Sequence, residues 1–453
     1  MNKNKLIEED VSSLIKQLAI PASTGMFFNT MYNVVDTFYA GLISTQAVSA
    51  LTLSFMVFFV IVGFGYGFSS AITAILGNSF GKKKNHLASI HAHKGLIFVP
   101  LIGIFLSILG LIFSPELFKL LGASDGYLED AITYINPILY GTIFFMFNFS
   151  LNSVLVALGD TKTYRNTLIF GFFANLILNP MFIYGFLFIP QMGLQGIAIA
   201  TVLIQIINMF YMLYKVLQTD VIHFKKLEYF LPNLRVYKLF LAQGLPASLN
   251  MLIMSIGSLV LTYFVAHYGI EAMAGYGIAF RVEQLMLLPC LGLSTAVLTL
   301  VSNNYGAKQY DRVIEILKVA LKYGFILSTV GIITLTLIGR FLISLFDSNT
   351  TVVDFGVDYL LVEIWIFYAY VVLFICVSTL QGIKKPKMIV YIALYRQIIA
   401  KFLVAYIIVK ILDLEFIYLW FGILVMIYSA AVFAYIYTNK LLKKVCHKTI
   451  EVL

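Results

Sequence analysis

Asp36 is the only acidic residue in the first long apolar run of this 453-residue chain, and three further oxygen-bearing side chains fall at its level. A run ending near Ile43 places Asp36 about 10 Å of helix from one membrane surface. Asn175 and Asn179 are spaced i, i+4 and so share one face of the fifth run, with Asn179 a little over two turns before its exit near Phe188. Thr201 lies about eight residues beyond Gly193, where the chain turns back. A carboxylate, two amides and a hydroxyl at one depth are oxygen ligands suited to a proton or to a hard cation such as sodium. Burying an ionisable group in a bilayer costs at least ~2.5–3.5 kcal/mol, so Asp36 needs a reason; its depth favours a functional one over a helix cap or a quiet pairing with a neighbour.

A second polar set lies in the other half. Arg281, Glu283 and Gln284 fall in the eighth run, Glu363 in the tenth, and Arg396, Gln397 and Lys401 in the eleventh. Glu363 could serve a second cation, yet Arg281 or Arg396 is placed to neutralise it, and a structural ion pair is the favoured reading. His267, beside Tyr268 at the end of a run, reads as an interfacial residue. Candidates for lining a cavity near Asp36 are Met26, Phe28, Tyr32 and Tyr39, with Asn148 and Asn152 at i, i+4 in the fourth run. Helix packing is the competing role for both asparagines. No catalytic constellation is visible: His91 and His93 are i, i+2, and no nucleophile motif or pair of carboxylates at a helix end accompanies them. Cys290, Cys376 and Cys446 have neither metal nor disulfide spacing. Neither an enzyme nor a cofactor is expected.

These residues need elements that hold them at depth. The chain is 60% hydrophobic and 12% charged, with a mean hydropathy of +0.92, roughly half the charged fraction of a soluble domain. Runs long enough to cross a ~30 Å hydrocarbon core follow one another almost end to end. They predict an all-α polytopic membrane protein with twelve spans, about 14–43, 47–77, 89–114, 131–158, 165–188, 193–218, 238–268, 272–303, 315–346, 355–382, 387–411 and 414–440. Continuous rather than alternating runs exclude a barrel. The net charge of +9 is concentrated in every second connection: Lys82 to Lys84, Lys162 and Arg165, Lys225 to Lys238, Lys308 and Arg312, Lys384 to Lys387, and a tail with Lys440, Lys443, Lys444 and Lys448. The alternate connections hold mostly acids or nothing. Short basic loops stay cytoplasmic, so both termini are expected inside, and the lipid bilayer rather than nucleic acid is the partner. Glu8, Glu9 and Asp10 ahead of the first run do not fit a signal peptide.

The chain also repeats itself. Pro21 to Gly81 recurs without a gap as Pro246 to Gly306, pairing Met26 with Met251, Gly67 with Gly292, and Asn78 with Asn303. Asp36 falls opposite Leu261, so the charge is present in only one copy. Self-similarity at a fixed offset means one structural unit used twice. The expected layout is a cytoplasmic N-terminus (1–13), a six-helix lobe (14–218), a cytoplasmic linker (219–237), a second six-helix lobe (238–440) and a basic tail (441–453). A pseudo-two-fold axis along the membrane normal should relate the lobes. The turn at Gly159 to Thr163 aligns with Gly382 to Pro386 at a slightly smaller offset. Pro21 and Pro246 remove one helical hydrogen bond each and permit a bend. Gly63, Gly65 and Gly67 read as close helix packing.

Over roughly residues 12–440 the sequence resembles the multidrug and toxic compound extrusion (MATE) family. The resemblance rests on Asn33-Val34-Val35-Asp36-Thr37, Asn78-Ser79-Phe80-Gly81, Leu158-Gly159-Asp160-Thr161-Lys162-Thr163, and Asn175 followed by Asn179-Pro180-Met181-Phe182. It implies a prokaryotic antiporter of the bacterial inner membrane, monomeric and with both termini cytoplasmic. Such a protein expels organic, often cationic, compounds by alternating access while a proton or sodium ion enters. It further implies that Asp36, Asn175, Asn179 and Thr201 form the cation site, and that the first helix bends near Pro21. Many members have Asp-Pro where this chain has Asn179-Pro180, which leaves Asp36 as the one titratable member and favours the proton, with sodium the alternative. A lipid-linked oligosaccharide flippase of the same superfamily is the rival reading. Arg281, Arg396 and Lys401 keep it open, while twelve spans and the acid in the first helix count against it.

Overall fold

The computed structural model describes residues 5–123, 125–223 and 227–450. The side chains expected to be basic at Lys225, Lys226 and Lys448, and the Cys446 thiol, lie outside that description. Backbone groups in a bilayer must bond within their own segment, and long apolar runs therefore become helices. Among the described residues twelve long ones follow in order: α1 (Val11–Ile43), α2 (Thr45–Gly81), α3 (Asn85–Leu120), α4 (Asp125–Ala157), α5 (Lys162–Tyr184), α6 (Leu194–Leu217), α7 (Leu234–Val265), α8 (Ile270–Gly306), α9 (Tyr310–Ser344), α10 in two arms (Thr350–Glu363 and Ile366–Gly382), α11 (Lys387–Ile411) and α12 (Phe416–Ile450). Ten described helices are long and apolar enough to cross a membrane by themselves, and the two arms of α10, bent by 55°, make an eleventh span. α1 has the length but carries Lys16, Asp36 and many small polar residues. Large apolar side chains such as Phe105, Phe113, Leu337 and Val425 are exposed on helix sides. In this multi-pass membrane protein lipid is their solvent.

Several boundaries differ from expectation. The segment 441–450 continues α12 rather than forming a separate tail, and α7 begins at Leu234, inside the stretch expected to be linker. A short helical turn, Lys5–Glu8, precedes α1. Helices overrun the hydrocarbon core because polar residues at their ends still satisfy helical hydrogen bonds in water.

The described residues form two compact units, one within 24–248, the other of 5–23 with 249–450. The division therefore falls inside α1 and α7, not in the connection between the repeats. Glycine explains it. A Cβ on Gly67 of α2 would overlap the backbone of Ser248 in α7, and a Cβ on Gly292 of α8 would overlap Ser23 in α1. These two approaches are the same contact, repeated at the offset of 225. Ser23 Oγ donates to Ala19 O at 2.9 Å and Pro289 O at 3.3 Å. Pro21 lies in the unbroken α1, two residues before the point where that helix changes unit.

Four helix ends also obey the repeat. Lys83, Gly159, Lys308 and Lys384 adopt positive φ, at 57°, 84°, 61° and 59°. Each closes the same pair of backbone bonds, as in Lys83 N to Phe80 O and Lys84 N to Ser79 O. Gly159 thus corresponds to Lys384 at the full offset of 225, not to Gly382. Gly382 is still helical, so matching glycine with glycine shortened the offset artificially.

Candidate functional site

α5 carries Asn175 and Asn179 one turn apart, and α1 lies along it within the first unit. Gly25 lets α1 approach Leu168 and Arg165, Phe28 meets Phe172 edge-on at 5.5 Å, and Tyr39 Oη donates to Leu176 O at 3.1 Å. This register sets Asp36 against the two amides. Asn175 Nδ2 donates to Asp36 Oδ1 at 2.8 Å and Asn179 Nδ2 donates to the same oxygen at 3.0 Å. Asp36 is 5% exposed, and both asparagines are wholly buried. From α6, the Thr201 hydroxyl also faces the carboxyl group and accepts from Tyr32 Oη at 3.0 Å.

The carboxylate is held by neutral donors. None of the described ion pairs includes Asp36, so its charge has no partner that would keep it permanently ionised. Both amides turn their N–H groups to the acid, and Oδ1 of each lacks a hydrogen-bond partner. Held this way, the group can take up and release a proton on its other oxygen without disturbing Oδ1. Among the described residues no group of three or more His, Cys, Asp or Glu could hold a metal ion.

Two residues at this site carried no sequence signal. Tyr134 of α4, buried, stands within electrostatic reach of Asp36. Gly171 of α5 makes room for the Tyr32 ring, since a Cβ there would lie 3.6 Å from it and 3.3 Å from Ile204. The remaining cavity candidates are placed less directly. Asn148 Nδ2 donates to Gln205 Oε1 at 2.8 Å and to its carbonyl at 2.9 Å, which ties α4 to α6. Asn152 and Met26 are half-buried.

In the second unit, Glu283, Glu363, Arg396, Gln397 and Lys401 are all buried, whereas Arg281 and Gln284 are exposed. The expected ion pair is absent: no nitrogen of Arg281, Arg396 or Lys401 lies within 4.0 Å of either glutamate, as the described ion pairs are elsewhere. Arg281 fails because helical geometry turns it about 200° from Glu283, onto another face. Glu283 instead accepts from the Tyr359 hydroxyl. His267 lies at the surface near Lys410 and Asp413, as an interfacial residue would.

The sequence profile of the MatE family matches residues 21–181 and again 246–407, the two copies of the repeat. The chain belongs to that family. MATE proteins are transporters, not enzymes. The chain is 27% identical over 331 residues to the probable multidrug resistance protein YoeA of Bacillus subtilis, covering 72% of each. It is 25% identical over 402 residues to the FAD transporter of Shewanella oneidensis, covering 88% of each. A solved outward-facing structure of a multidrug resistance MATE family transporter of the MOP superfamily superposes with a TM-score of 0.91 at 24% identity, over 98% of this chain and 99% of the other. That likeness establishes the fold.

Proposed function

We propose that this MATE transporter is a proton-coupled exporter of organic small molecules, working by alternating access in the bacterial cytoplasmic membrane with both termini inside. Asp36 takes a proton from the outer side and gives it up to the cytoplasm. Asn175, Asn179 and Thr201 hold the carboxyl group in place through both states, and α1 adjusts near Pro21. Coupling needs only that proton and cargo favour different conformations. The reading rests chiefly on one observation, a buried carboxylate bonded by two amides and paired with no cation. The names of the relatives support cargo ranging from drugs to a phosphate-bearing flavin. The protein works as a monomer, each copy carrying its own acid.

The test is ethidium efflux from vesicles holding the purified protein, under an imposed proton or sodium gradient. Proton-driven efflux that vanishes in Asp36→Asn is expected. Efflux driven by sodium alone would move the assignment to sodium, and undiminished efflux in the variant would overturn the role of Asp36.

A further inference from the structure

The cations buried in the second unit are not used by this mechanism. Arg396 is 4% exposed, and its Nε and Nη1 lack any hydrogen-bond partner. Its guanidinium stacks over the Tyr370 ring at 5.7 Å. Lys401 lies within electrostatic reach of it, a second positive charge in the same interior. Lys401 Nζ donates to Gln397 Oε1 at 2.7 Å and to Gly257 O at 3.4 Å, both neutral acceptors. Neither cation is paired with the nearby acids. Glu283 is engaged by Tyr359, and Glu363 keeps Oε1 without a partner.

An unsatisfied buried donor costs about 1–3 kcal/mol, more when charged. Such a group calls for a specific reason, such as strain, a catalytic role, or a water or ion that meets it. The backbone around it is irregular as well. Arg396 sits in a π-helical turn, Tyr395–Ile399, and α10 breaks immediately after Glu363. Irregular backbone at membrane depth is tolerated where it is buried in protein or lines a cavity, and transporters place binding sites at such breaks. A guanidinium fork with free N–H groups matches one ligand chemistry above others, the two oxygens of a carboxylate or phosphate.

We propose that Arg396, backed by Lys401, is a binding subsite for an oxyanion, carboxylate or phosphate, borne by the transported compound. The subsite rests on the exporter reading and gives the anionic group of such cargo a place to bind.

Flavin mononucleotide and riboflavin share one ring and differ by one phosphate. Their binding to the full-length protein, in nanodiscs of phosphatidylcholine alone, is read by flavin fluorescence. Wild type is expected to prefer the mononucleotide by about tenfold or more. Arg396→Gln should bring the ratio close to one, and Arg396→Lys, which keeps the charge but not the fork, should recover part of it. The ratio is taken within each variant on monodisperse protein, so a general loss of binding does not mimic the result. Equal binding of the two flavins by wild type, or an unchanged ratio in Arg396→Gln, would overturn the subsite. So would loss of the preference when phosphatidylglycerol is added, which would assign the site to lipid headgroups. Gradient-driven ethidium efflux by the same wild-type preparation is scored separately. If efflux holds and the flavin preference does not, the subsite fails alone. If efflux fails, the exporter reading falls whatever the flavins do.

Discussion

The two units use one framework for opposite electrostatic designs. In the first, a lone acid is satisfied entirely by neutral donors, in a regular stretch of α1 and α5. In the second, two acids and two cations share the interior without pairing, around a broken α10 and a π-turn in α11. The repeat makes the contrast interpretable, because Leu261 occupies the place of Asp36 and is equally buried. Framework and charge have separated: close-packed glycines and helix ends are duplicated, while the ionisable groups are not. A site with one titratable group and no competing charge suits a two-state switch. A site with unpaired charges of both signs suits recognition.

The sharpest break of this comparison is a swap. Asp36→Leu should leave the fold intact yet reduce proton-driven efflux to that of protein-free vesicles. Leu261→Asp should do the reverse kind of damage, burying a carboxylate without the two amides and costing about 3 kcal/mol or more of stability. Yield and thermal midpoint in detergent measure the second effect. A stable Leu261→Asp protein would mean that the second unit already holds donors for an acid there. Next in size are Asn175→Ala and Asn179→Ala. Each removes one donor to a charged acceptor, worth about 1.5–3 kcal/mol, and should lower the transport rate by tenfold or more. Equal losses in the two variants would fit their shared acceptor, Asp36 Oδ1. A loss in only one would show that the bonds are not equivalent in the working states.

Much of the first site was legible because helical rise converts residue counts into depth, so Asp36, Asn179 and Thr201 could be levelled against the membrane surface. The i, i+4 spacing of Asn175 and Asn179 did the rest. Tyr134 was hidden among 28 tyrosines, since no spacing separates one aromatic that faces an acid from one that faces lipid. Arg281, two residues from Glu283 and so about 200° around α8, is exposed while Glu283 is buried. The division of α1 and α7 between units was not legible at all. It depends on how closely Gly67 approaches Ser248 and Gly292 approaches Ser23, and that closeness appears only in three dimensions.

Gly171 sharpens the first site at a smaller scale. Alanine there meets Ile204 at 3.3 Å and Tyr32 at 3.6 Å, which slight movement accommodates. Valine would displace the Tyr32 ring and with it the hydrogen bond to Thr201. Efflux should fall severalfold in Gly171→Val and little in Gly171→Ala. If both behave like wild type, Tyr32 does not help to position Thr201.

The smallest effect probes what the units share. Lys83 and Lys308 occupy equivalent helix ends with φ of 57° and 61°, where the first unit also uses Gly159. A side chain in this left-handed conformation costs about 1–2 kcal/mol. A lysine regains part of that, about 0.3–1 kcal/mol, by its attraction to the negative end of the helix. Lys83→Gly and Lys308→Gly should therefore each stabilise by roughly 0.5–1 kcal/mol, and Gly159→Lys should destabilise by a similar amount. Thermal midpoints would move by a few degrees at most. Because the three turns close the same backbone bonds, the two glycine substitutions should be equal and efflux should not change. Unequal shifts would mean that the symmetry of these turns, unlike their geometry, does not extend to their energetics.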